Sequence, residues 1–136
     1  MTVQQDTLAN GFRIVSEHMP GLESASIGIW VTAGGRHERI EQNGIAHFLE
    51  HMLFLGTEKF PEAGSYQAFI SNNGGNHNAF TAHDVTNYFF EIDNDALAGA
   101  LDRFAPFFVS PTFDSEYVER EKNAVNAEYT SKSKDD

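Results

Sequence analysis

Turn residues cut this chain into short segments whose hydrophobic period switches between two and 3.6 residues. That switching restricts it to a mixed fold of strands and helices. Thr7 to Ser16 reads as a hairpin around Asn10-Gly11, with Phe12, Ile14 and Ser16 alternating with Arg13 and Val15. After Pro20-Gly21, residues 24–32 read as a strand that ends at Gly34-Gly35. Residues 45–55 place Ile45, Phe48, Leu49, Met52 and Leu53 at helical spacing, with Gly56 as the stop. A second helix is predicted over 62–71, behind Pro61. Strands over 78–81 and 85–92 flank His83-Asp84. Asn94 and Asp95 can cap a helix over 96–108. Beyond Pro111, a last helix is predicted over 115–129, followed by a polar tail from Ser131 that is expected to fray. The expected order is ββ-αα-ββ-αα, and the economical architecture is α+β: an antiparallel sheet with helices packed on one face. No linker or low-complexity segment interrupts it, so residues 1–136 are expected to form a single domain.

Composition narrows the chemistry. Twelve Phe residues supply a substantial interior, to which Trp30 is expected to belong. There is no Cys, which excludes disulfides and thiolate metal sites. Any metal must be held by His, Asp, Glu or backbone oxygen. A formal net charge of -11 without a Lys/Arg-rich run argues against a nucleic-acid binder. No apolar run approaches the ~18 residues of a membrane span. The polar start, Met1 to Asp6, does not resemble a signal peptide. The chain is expected to be soluble, with cytoplasm and periplasm both open.

Within the helix over 45–55 lies His47-Phe-Leu-Glu50-His51. Positions i, i+3 and i+4 fall on one face, so both imidazoles and the carboxylate project together. Neutral imidazole is a zinc ligand, and two of them one turn apart can chelate one ion. Glu50, between them, can reach a bound water without being a ligand. Shuffling this composition would produce His-x-x-Glu-His roughly twice in a hundred sequences, so its helical placement matters as much as its letters. A charge-paired polar helix face would carry the same letters. A catalytic zinc site needs a third protein ligand and one open position. The last helix offers Glu121 and Glu128, two turns apart on one face. The pattern alone does not choose between them.

These residues resemble the pitrilysin/insulysin family of metallopeptidases, the inverzincins, whose signature is His-x-x-Glu-His. The likeness runs from Leu8-Ala-Asn-Gly-Phe-Arg-Ile-Val to Asn126-Ala-Glu-Tyr129. It is closest over 44–57, 74–81 and 119–128. In that family a Glu about 76 residues beyond the second His completes the set. The resemblance therefore implies one Zn2+ held by His47, His51 and Glu128, with Glu121 as a supporting carboxylate and Glu50 as general base. It also implies that the strand containing Asn78 and Ala79 accepts an extended peptide substrate as an added edge strand. The expected activity is zinc-dependent endopeptidase hydrolysis of peptides or small unfolded proteins. The first sixty or so residues look more like the processing-peptidase branch, and 74–92 more like the pitrilysin and insulysin branch.

Family members enclose substrate between two homologous halves, and this chain stops just past the third ligand. It is expected to be a truncated N-terminal part that works with a C-terminal half or a homologous subunit, a homodimer included. Two other readings stay open at this level. One is a catalytically incomplete peptide-binding or assembly subunit, and the other a metal that only stabilises the fold. His77, beside Asn78, is expected to line the cleft, and His83 to be a turn residue.

Overall fold

The most deeply buried strand sits at the centre of the sheet. The computed structural model describes residues 2–132. In it β3 (Ser24–Val31), β4 (Asn76–Thr81) and β5 (Thr86–Asp93) form an antiparallel sheet in the order β3-β5-β4. The register pairs Ile29 and Ala79 with Tyr88, and Ile27 and His77 with Phe90. Alternation then sends Tyr88, Phe90 and Ile92 to one face, where all three are buried. Helices α1 (Ile45–Leu53), α2 (Ser65–Asn72) and α3 (Leu97–Phe104) cover that face. They bring Leu53, Tyr66, Ile70, Ala100 and Phe104 into the same core. Aromatic edges carry much of the packing, with ring centroids 5.1 Å apart for Phe90–Phe104 and 4.9 Å for Tyr66–Phe107.

The antiparallel sheet with helices on one face matches the expected class, and the differences are local. The hairpin consists of β1 (Thr2–Thr7) and β2 (Arg13–His18), which form a separate two-stranded sheet. Three strands therefore precede α1, where the pattern counted two. The polar residues before Thr7 belong to β1 because they pair in register, Thr2 with His18. Helix α2 begins at Ser65 because a turn with Gly64 at φ 89 intervenes after Pro61. The helix expected over 96–108 divides into α3 and a 3-10 turn, Ala105–Phe108. Pro106 has no N–H to continue the α ladder. Trp30 is not core: Ile27 and Ile29 point inward, so parity turns Trp30 outward, 63% exposed and edge-on to Phe80. His83 lies in the β4–β5 turn, as expected, where Ala82 N–H donates to the Val85 carbonyl. The last helix, α4 (Ser115–Lys132), runs past the expected end into the polar tail, and residues 133–136 lie outside the described residues. No described helix is long and apolar enough to cross a membrane.

Helix α1 starts without a side-chain cap of its own, because Gly44 occupies that position at φ 91, a conformation suited to glycine. Glu38 supplies the cap from the preceding turn. Its carboxylate accepts from Gly44 N–H at 2.7 Å and Ala46 N–H at 2.8 Å, placing negative charge at the helix N-terminus. Glu38→Ala is expected to lower unfolding free energy by about 1–2 kcal/mol, read by urea denaturation. An unchanged midpoint would mean that water replaces the cap at no cost.

Candidate metal centre

Helix α1 presents His47, Glu50 and His51 on one face because 3.6-residue periodicity puts Leu53 and Met52 on the other, in the interior. Helix α4 packs alongside and contributes acidic side chains. The two Nε2 atoms of His47 and His51 stand 3.2 Å apart. Glu128 Oε2 lies 3.6 Å from each of them. The three atoms thus form a triangle with edges of 3.2 to 3.6 Å. Ligands of a tetrahedral zinc at about 2.0–2.1 Å stand about 3.3–3.4 Å from one another, so this triangle has the size of one face of such a shell. His47, Glu50 and His51 also form a compact group, but one that spreads to as much as 4.8 Å. Glu128 therefore closes the smaller triangle, and the residues present fit a zinc ion.

The surrounding contacts orient these groups. Glu121 Oε2 is 3.0 Å from His51 Nδ1. A proton on Nδ1 then donates to the carboxylate, which leaves the Nε2 lone pair directed at the triangle. Lys132 Nζ donates to Glu128 Oε1 at 2.7 Å. That hydrogen bond, with smaller help from His47 and His51, holds the Glu128 carboxyl below its usual pKa against the opposing effect of burial. Glu50 is buried, 9% exposed, and accepts from Thr81 Oγ1 at 2.5 Å. Tyr88 is near enough to feel its charge. Burial first, and the Glu50 charge second, push the Tyr88 phenol up to about 12.

The last of the expected site residues lie on β4, which among the described residues pairs only with β5 and so forms a sheet edge. Asn78 is exposed there, and Ala79 is partly buried beside it. The Asn78 Oδ1 accepts from Ala79 N–H at 2.9 Å. His77 does not open into a cleft. It packs against Tyr66 and Phe54, with centroids at 5.3 and 5.5 Å, and burial lowers its pKa. Its parity with Ala79 and Thr81 turns it inward. Sequence reasoning missed Thr81, Lys132 and Glu38. The only available signal for Thr81 was this parity, which says inward without saying which helix residue it meets. Lys132 stands four residues after Glu128, a spacing at which helix neighbours touch.

Comparison with known proteins identifies the family. The family described as Insulinase (Peptidase family M16) matches residues 13–136. The insulin-degrading enzyme of Homo sapiens is 43% identical over 122 residues, covering 90% of this chain and 12% of that protein. A protein of Schizosaccharomyces pombe named as a zinc protease is likewise 43% identical over 122 residues, covering 90% of this chain and 13% of its own length. The crystal structure of pitrilysin superposes with a TM-score of 0.88 at 39% identity, over 95% of this chain and 14% of that one. The chain therefore spans only about an eighth of the length of the relatives it matches. A family match over most of the sequence, joined to the same fold at this identity, places the chain in the insulinase family of peptidases, family M16.

Proposed function

We propose that this chain carries the zinc site and the substrate-binding edge of a metalloendopeptidase. The reading rests above all on one observation: Nε2 of His47, Nε2 of His51 and Oε2 of Glu128 form a triangle of 3.2 to 3.6 Å. His47, His51 and Glu128 hold Zn2+, and Glu121 fixes the His51 ring. When bound, zinc lowers the pKa of water toward neutral and polarises a carbonyl. Glu50, on the same helical face, takes the water's proton and returns it to the leaving amine. An extended peptide adds to β4 at Asn78 and Ala79, with backbone hydrogen bonds giving affinity with little dependence on sequence. To free the Ala79 N–H for that pairing, the Asn78 side chain swings off it and is then available to the peptide.

Residues 1–136 are read as the N-terminal part of a peptidase domain. The full reaction chamber draws on a companion, either a C-terminal half or a homologous subunit, a second copy of this chain included. The short coverage of each relative supports that need.

Zinc content and cleavage of a mixed peptide pool, with and without the C-terminal half of a relative, test the proposal together. One equivalent of zinc with cleavage supports it. Zinc without cleavage in any combination would leave a peptide-binding subunit instead. Glu121→Gln tests the supporting carboxylate. A neutral amide holds the imidazole less firmly and makes it less basic, so zinc affinity should fall by about 10–100-fold with the fold intact. Competition with a fluorescent chelator measures this, and an unchanged affinity would remove Glu121 from the site.

A further inference from the structure

Glu50 is held from the sheet as well as from its own helix. Its Oε2 accepts from Thr81 Oγ1, the last residue of β4, at 2.5 Å. Glu50 as a whole is only 9% exposed, so little solvent reaches it to take the place of that donor. Thr81 stands two residues from Ala79 on the same strand and shares its inward parity. The strand that would present the peptide and the carboxylate that would take the proton are therefore joined by a single hydrogen bond. A carboxylate on a helix can swing about its side-chain torsions, and each alternative rotamer moves its oxygens away from the reacting water. A hydroxyl fixed by strand pairing (Thr81 is in register with Thr86) removes that freedom.

We infer that Thr81 is a positioning residue, whose hydroxyl fixes the Glu50 carboxylate relative to the substrate-bearing strand. This rests on the peptidase reading above. It goes beyond that reading in giving β4 a second role, since the strand aligns the base as well as the peptide. Because Thr81 acts through Glu50, its loss should slow turnover without weakening peptide capture.

The test compares Thr81→Val, which keeps the branched shape and removes the hydroxyl, with Thr81→Ser, which keeps the hydroxyl. Glu50→Gln and the unaltered protein are assayed beside them, each loaded with zinc and supplied with the companion half. Thr81→Val should lower kcat about ten- to hundredfold, with KM within about twofold and zinc equivalents unchanged. Thr81→Ser should restore most of the rate. Thr81→Ala serves in the same way if valine disturbs folding. A second measurement needs no catalysis. In the zinc-free protein, the fall in melting temperature from Thr81→Val should largely vanish in a Glu50→Ala background, because the hydroxyl then has no carboxylate to meet.

Thr81→Val at the unaltered rate, a change confined to KM, Thr81→Ser as slow as Thr81→Val, or additive melting shifts would each overturn the inference alone. If the unaltered protein binds zinc and cleaves nothing, the peptidase reading falls and this inference falls with it.

Discussion

Glu50→Gln is expected to keep its zinc and lose turnover. The exchange is isosteric, so the helix and a hydrogen bond with Thr81 can both persist. What disappears is the basic oxygen. General acid–base groups contribute about 10²–10⁴-fold, and kcat should fall by that factor because no other carboxylate can take over. Glu128 faces the histidine nitrogens and is engaged by Lys132, and Glu121 is engaged with His51 Nδ1. Metal content should stay at one equivalent, because the 3.2 to 3.6 Å triangle does not include Glu50. Metal analysis and steady-state kinetics on one preparation separate the two effects. Full activity in this variant would remove Glu50 from the chemistry, and parallel loss of zinc and rate would make it a ligand.

His47→Ala is expected to give a different pattern, losing metal and activity together. A structural zinc site binds with roughly 10–16 kcal/mol shared among four ligands, which puts about 3 kcal/mol on each. Removing one should therefore weaken zinc binding by about two orders of magnitude. The loss should exceed that average, because in the proposed site His47 and His51 would chelate from one helical turn, whereas the remaining pair, His51 and Glu128, comes from two separate helices. The His47 side chain is 34% exposed, so its truncation leaves no large cavity and the fold should survive. Thermal melting provides the check. Zinc at a hundred times its dissociation constant should stabilise the unaltered protein by about 2.7 kcal/mol, and the same zinc should leave His47→Ala nearly unmoved. An equal zinc-dependent rise in both proteins would place the ion elsewhere.

Much of the site was legible because it is local. His47, Glu50 and His51 share a face through helix geometry alone, and the buried positions Met52 and Leu53 on the other side set which way it turns. The choice between Glu121 and Glu128 was not local. They share a face of α4, and only the position of α4 against α1 decides which of them reaches the Nε2 side of the histidines and which the Nδ1 side. The resemblance had named Glu128 as the ligand and Glu121 as its support, and the packing sets Glu128 Oε2 3.6 Å from His51 Nε2 and Glu121 Oε2 3.0 Å from His51 Nδ1. The assignment of Trp30 to the core failed for a related reason. Ser24-Ala-Ser-Ile-Gly-Ile-Trp-Val31 offers apolar residues at both parities near its end, and its register against β5 settles which parity is buried.

The sequence by itself determined most of the elements and the convergence of His47, Glu50 and His51 on one helical face, because each depends on residues within about a dozen positions of one another. Tertiary structure alone decided which side of the histidines each carboxylate of α4 stands on, the separate hairpin sheet and the bond from Thr81 to Glu50. Each joins residues brought together only by packing, in the last case 31 positions apart along the chain. Hydrophobic periodicity states which side of an element is buried, and says nothing about which side chain of another element will meet it there.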